Sequence, residues 1–165
     1  MSKRFSHTTD SDVPVESVFE VLSGADWCSH LAAELGDDSR LVRRDVGADG
    51  SVTLVLNRRL PSGIPGFLQK FLPSDPRVVT TDVWGPSVDG ARDCRWTAEI
   101  AGTPTTITGT QRIEPLGSGN RHIVSGEVKV SVPLIGGKAE SFIAEAIRGL
   151  AESEVAAVEK VLAAS

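Results

Sequence analysis

Residues 121–164 read RHIVSGEVKV SVPLIGGKAE SFIAEAIRGL AESEVAAVEK VLAA, and the change of period inside this stretch decides the fold. Up to Val132 the apolar residues fall on alternate positions: Val124, Val128, Val130 and Val132 share one side, as on a strand with one buried face. Pro133-Leu134-Ile135-Gly136-Gly137 then breaks the pattern. From Lys138 the period becomes 3.6: Ala139, Phe142, Ile143, Ala146, Ile147 and Leu150 form one stripe, with Glu145, Arg148, Glu152, Glu159 and Lys160 opposite. No proline lies between Lys138 and Ala164, so the spacing predicts a helix of about 40 Å at 1.5 Å per residue.

Working back from this stretch, strands alternate with turn signals. Pro115 to Asn120 is a turn, and Thr105–Glu114 before it is β-prone, with Ile107 and Ile113 on one face. Gly102-Thr103-Pro104 turns the chain after Arg92–Ile100, where Cys94, Trp96, Ala98 and Ile100 face one way and Asp93, Arg95, Thr97 and Glu99 the other. Arg77–Trp84 is a strand ended by Gly85-Pro86, and Leu41–Val46 and Val52–Arg59 are joined by Gly47-Ala48-Asp49-Gly50. Near the start, Lys3 to Thr9 alternates around Phe5 and His7. Asp12 is then the expected N-cap of a helix carrying Val15, Val18, Phe19 and Leu22, with Pro14 in its first turn and Gly24 as its stop. Asp26 is placed to cap a second short helix, Trp27 to Leu35, which Gly36 ends.

The order is one strand, two short helices, six strands and one long helix. Each later strand shows one apolar face, the mark of an antiparallel sheet buried on one side. Only one long helix is available to cover it. The expectation is an α+β fold, with a curved antiparallel sheet of about seven strands wrapped around the C-terminal helix as one domain over 1–165.

Composition narrows the function. The 165 residues carry 17 Lys and Arg against 22 Asp and Glu, a net charge of −5. Arg43-Arg44 and Arg58-Arg59 are isolated pairs, expected as solvated strand positions, with no basic run interleaved with aromatics, so nucleic acid is not an expected partner. Cys28 and Cys94 are far apart and form no CxxC, which argues against a disulfide framework. Met1 to Asp12 is polar and no run reaches the length of a membrane span. The expectation is a cytoplasmic protein with reduced thiols and no stable membrane association; the oligomeric state stays open.

This order, the segment Val13-Pro14-Val15-Glu16-Ser17-Val18-Phe19 at the first helix and Val132-Pro133-Leu134-Ile135-Gly136-Gly137-Lys138 at the last, resembles the START-like or polyketide-cyclase-like (SRPBCC, helix-grip) superfamily. More narrowly, the chain is similar to an uncharacterised actinobacterial family within it, domain of unknown function 2505. The resemblance implies an apolar ligand held between the sheet and the last helix. It does not choose an activity, because that superfamily includes lipid carriers, hormone and allergen proteins, cyclases and chaperone-binding domains.

With the helix laid across the sheet, Phe142, Ala146, Ile147 and Leu150 face Cys94, Trp96, Ala98, Ile107, Val124 and Val128, while Ala98, Ala139, Ala146, Gly109 and Gly126 leave volume. The alternative is a filled core whose bends require those glycines. Pro61 to Pro76 carries Ile64, Phe67, Leu68 and Phe71, read either as a lid or portal or as a short helix packed around Gly66–Phe71. Insertion of that segment into a membrane surface has little cationic support, with Lys70 alone nearby. Glu154 falls inside the apolar arc, where a carboxylate must pair, protonate or reach water. Either the helix has run past the sheet there or an arginine meets it; the functional alternative is a group that orients a polar ligand or acts as an acid or base. His122 shares the parity of Val124 and is read either as an ordinary exposed histidine at a strand start beside Asn120 and Arg121, or as the polar tip or general base of the pocket, where with Glu154 or Gln111 it would be the pair a catalytic reading requires. Asp26, His30 and Glu34 are spaced along one helix face but have no second segment of ligands. Neither metal nor cofactor is expected, and no nucleophile or phosphate-loop motif occurs.

The leading expectation is a non-catalytic binding or carrier protein for a hydrophobic or amphipathic small molecule, lipid or polyketide-like. The alternatives are a cyclase-, dehydratase- or hydrolase-type enzyme using the same cavity, and a protein-interaction domain with a filled core.

Overall fold

The computed structural model describes residues 1–60 and 63–165. Strand β1 (Lys3–Ser11) leads into helices α1 (Val15–Leu22) and α2 (Trp27–Leu35). The hairpin β2 (Ser39–Val46) and β3 (Val52–Arg59) follows, then the single-turn helix α3 (Gly66–Gln69). Strands β4 (Arg77–Trp84), β5 (Arg92–Ile100), β6 (Thr105–Leu116) and β7 (Gly119–Val130) form a meander that ends in α4 (Gly136–Ala163). The seven strands make one open sheet in the order β1-β7-β6-β5-β4-β3-β2, antiparallel throughout. This is the α+β helix-grip arrangement.

The period-two reading of β5 holds residue by residue, for its alternate residues from Arg92 to Ile100 are buried and those between are exposed. It fails for β2, which has no buried face. β2 is an edge of the sheet, and the long helix α4 packs at the other side, against β1 and β7, leaving β2 only the short helix α2 as a neighbour off the sheet.

Several boundaries shift for local reasons. β1 runs on to Ser11, whose hydroxyl accepts the Val13 N–H at 3.1 Å. Asp12 is thereby displaced from the capping position; Pro14 occupies it, and the Pro14 carbonyl accepts from the N–H groups of Ser17 and Val18. Asp26 does stand at the N-cap of α2, but its side chain makes no capping bond. Gly36 ends α2 with φ +66°, where a side chain would be strained. Pro115 lies inside β6, opposite Asn120, and the turn is shorter than expected.

α1 plugs one end of the sheet. Val15, Val18, Phe19 and Leu22 are buried, and the Phe19 ring meets Trp84 edge-on at 5.5 Å between centres. The Arg92 guanidinium lies 3.8 Å from the centre of the Phe19 ring. It also donates to both Glu16 oxygens and to the carbonyls of Gly50 and Gly85, so it ties α1 to two turns. Gly109 and Gly126 do not leave open volume. A Cβ at either would overlap the Trp96 ring, and one at Gly126 would also strike Phe5; the glycines let these two rings come up against the sheet backbone.

Candidate ligand-binding cavity

α4 rests on β1 and β7 and leaves a gap on its other flank. The gap is a cavity of about 490 Å³, walled by β3 to β7, by α4, by the segment around α3 and, at one end, by Leu22 and Trp27 of α1 and α2. Its wall is mostly apolar, and its volume lies in the range of about 300–1,000 Å³ usual for small-molecule sites.

The structure brings Trp96, Ala98, Ile107, Gln111 and Val124 to this wall from the sheet, and Phe142, Ala146, Ile147 and Leu150 from α4. It does not bring Cys94, His122 or Val128 there, although their parity is inward. Val128 is fully buried on β7, the strand against which α4 is seated. Cys94 is sealed in the row of Trp84 near the α1 plug, and its thiol pKa is pushed up by burial and then by the Asp82 charge. His122 is buried, not exposed at a strand start, because α1 and α4 cover that end of β7; it lies still nearer the plug, around a void of about 10 Å³ with Val18, Val155 and Val158.

His122 nonetheless bears on the cavity. Its Nε2–H donates to Gln111 Oε1 at 2.8 Å, and the Gln111 side chain stands in the wall. Desolvation, and then the neighbouring His7, hold the His122 pKa down at about 4; the ring is neutral and fixes the amide.

Of the expected lid, Ile64, Leu68 and Phe71 line the cavity and Phe67 does not. The Phe67 ring turns to the Lys138 ammonium, 5.0 Å from its centre. Gln69 Nε2 donates to the Ile64 carbonyl at 2.8 Å and closes the turn. Pro61, the first residue of that segment, lies outside the described residues.

Charge is gathered at one region of the wall. Arg58 is buried rather than solvated, because the inner face of β3 turns it toward α4; it and Glu154 both line the cavity, and Arg58 Nη1 is 2.8 Å from Glu154 Oε1. The contact is ionic rather than an aligned hydrogen bond. The same guanidinium donates to Asp37 through Nε at 3.1 Å and through Nη2. Burial acts to lower the Arg58 pKa, but Glu154 and Asp37 outweigh it and the net direction is up. Glu154 thus meets an arginine, one of the outcomes its place in the apolar arc left open.

Sequence reasoning missed Asp82. On β4 it lies between Thr80 and Trp84 on the inner face, opposite Leu54 and Trp96, and it lines the cavity. No hydrogen bond or ion pair to its carboxyl occurs among the described residues. Desolvation pushes its pKa up to about 7, Glu154 adds to that and Arg58 opposes it. The signal was present: Val78, Thr80, Asp82 and Trp84 share one parity, so a strand with Trp84 inside has Asp82 inside as well. The Nε1–H of Trp84, also in the wall, has no acceptor among the described residues. Those residues contain no group of three or more His, Cys, Asp or Glu placed to hold a metal ion, and no helix among them is long and apolar enough to cross a membrane.

The profile of the family described as "Protein of unknown function (DUF2505)" matches residues 6–162. An uncharacterised Mycobacterium tuberculosis (strain H37Rv) protein, Rv0481c, is 28% identical over 151 residues, which is 87% of each chain. Among solved structures, TTHA0849 from Thermus thermophilus superposes with a TM-score of 0.66 at 18% identity, covering 100% of this chain and 99% of that one. Norcoclaurine synthase from Thalictrum flavum gives a TM-score of 0.59 at 16% identity, covering 98% and 87% of the two chains. Ara h 8.0201 gives 0.60 at 11% identity, with 100% of both chains covered. At these identities the likeness is one of fold.

Proposed function

We propose that this chain, which belongs to the DUF2505 family, is a binding or carrier protein for a hydrophobic or amphipathic small molecule, lipid or polyketide-like. One observation carries the reading: the apolar cavity of about 490 Å³ between α4 and the inner face of β3 to β7. A protein-interaction domain with a filled core would have no such space. A catalytic use of the cavity needs polar groups that converge on its interior. His122 is turned into the wall behind Gln111, and Glu154 is engaged by Arg58. That leaves Asp82 by itself, an arrangement that supports binding more than acid–base chemistry.

The test is titration of the purified protein with fluorescent fatty acids and aromatic polycycles, alongside native mass spectrometry of freshly isolated material. Saturable one-to-one binding is the expected result, and a retained ligand appears as added mass. Absence of saturable binding by every probe would remove the proposal.

A further inference from the structure

Three acidic groups surround one arginine at this end of the cavity. Arg58 is already engaged by Glu154 and Asp37. Asp82 stands apart from that network with an unpartnered carboxyl in the cavity wall. Arg59, the other cation on the wall, is two-thirds exposed and pairs with Asp38 at 3.2 Å, so its charge is spent at the rim. The groups facing Asp82 are Arg58 from β3, Glu154 from α4 and the neutral Cys94 thiol from β5. With Asp82 ionised, the interior carries an uncompensated negative charge.

We propose that Asp82 is the specificity-determining residue of the cavity and takes the protonated amine of an amphipathic ligand whose apolar part fills the rest. The inference rests on the binding role argued above and names the class of ligand. A carboxylate in an apolar wall needs a hydrogen-bonding cation or a proton. Charge-assisted N⁺–H···O⁻ bonds are about twice as strong as neutral ones. A carboxylic-acid ligand would meet Asp82 and Glu154 as like charges, and a neutral alcohol would gain only an ordinary hydrogen bond. In the empty cavity a proton takes the amine's place, which agrees with the raised affinity of Asp82 for protons.

Amine and proton then compete for one carboxylate. Amine binding weakens as pH falls below about 7, by roughly tenfold between pH 8 and pH 6. At pH 7 each bound amine displaces close to half a proton, seen as a binding heat that changes with the ionisation enthalpy of the buffer.

The experiment is calorimetric titration of the full chain with decylamine, decanol and decanoic acid at pH 6, 7 and 8, for the wild type and Asp82→Asn. The expected result is decylamine at least about tenfold tighter than decanol at pH 8, with decanoate weakest. Asp82→Asn removes the amine preference and its pH dependence, and leaves decanol within about threefold of the wild type. Equal wild-type affinities for decylamine and decanol overturn the inference and leave the carrier reading standing. A loss of both ligands together in Asp82→Asn overturns it as well. No saturable binding of any of the three removes the carrier reading, and this one with it. The wild-type amine-to-alcohol ratio and its pH profile need no variant, so a poorly folded Asp82→Asn does not protect the idea.

Discussion

Asp82 and His122 titrate in opposite senses across the acid range. Burial raises the Asp82 pKa from 3.8 to about 7, so the folded chain holds a proton that the unfolded chain has released. The folded state therefore loses stability as pH rises from about 4 to 7, and the loss persists above that. Burial lowers the His122 pKa from 6.5 to about 4, so the unfolded chain binds a proton that the folded one refuses. This contribution is present in full above pH 6.5 and lost as pH falls toward 4. Between those limits the two slopes oppose one another. Asp82→Asn removes the first alone. It should stabilise the protein by about 2–4 kcal/mol at pH 8, have little effect near pH 4, and leave a steeper acid loss due to His122. Urea unfolding at pH 4.5, 6 and 8 measures this directly, and an equal effect at all three values would contradict the assignment of Asp82.

At the scale of elements, one arginine on β3 joins the loop after α2 to α4. Arg58→Met leaves both the Glu154 and Asp37 carboxylates without their cation in a largely buried site, and a loss of about 3–5 kcal/mol follows. Glu154→Gln keeps the Arg58–Asp37 half and should cost about 1–2 kcal/mol. Equal losses in thermal or urea unfolding would mean that the three groups do not act as this junction. Glu154 is legible in the sequence as a carboxylate in an apolar arc that needs a partner. Arg58 is not legible as that partner, because pairing across distant segments depends on how α4 is seated. Strand and helix identities are readable from period alone, and α2 spans its expected residues through Gly36. Period does not say which strand ends at an edge, so β2 lacks the buried face its pattern suggests. Nor does period say what occupies the space over a small residue, so Gly109 and Gly126 carry rings instead of open volume. Asp82 is legible by parity with Trp84, but β4 is polar between its ends and the signal there is faint.

The molecule as a whole sets five of its eight large rings, Trp27, Phe71, Trp84, Trp96 and Phe142, in the wall of the cavity. Phe19 and Trp84 close the α1 end, and Phe5 and Trp96 lie together over Gly109 and Gly126 with centres 6.1 Å apart. Between them the wall is built largely from aliphatic and small side chains, including Ala98, Ile107, Ala139, Ala146 and Ile147. The arrangement distinguishes a cavity from a core by its response to added volume. In a closely packed interior, enlarging a buried alanine costs about 1–3 kcal/mol through strain. In an empty apolar space the added side chain finds room and contacts, so Ala146→Phe and Ala98→Leu should be neutral or stabilising in urea unfolding. The same variants should weaken probe binding at least about tenfold, since they occupy the volume a ligand needs. Destabilisation by the full overpacking cost, with binding unchanged, would mean that ligand and substituted side chain do not share this space. Stability retained with binding lost is the paired outcome that ties the missing volume to function.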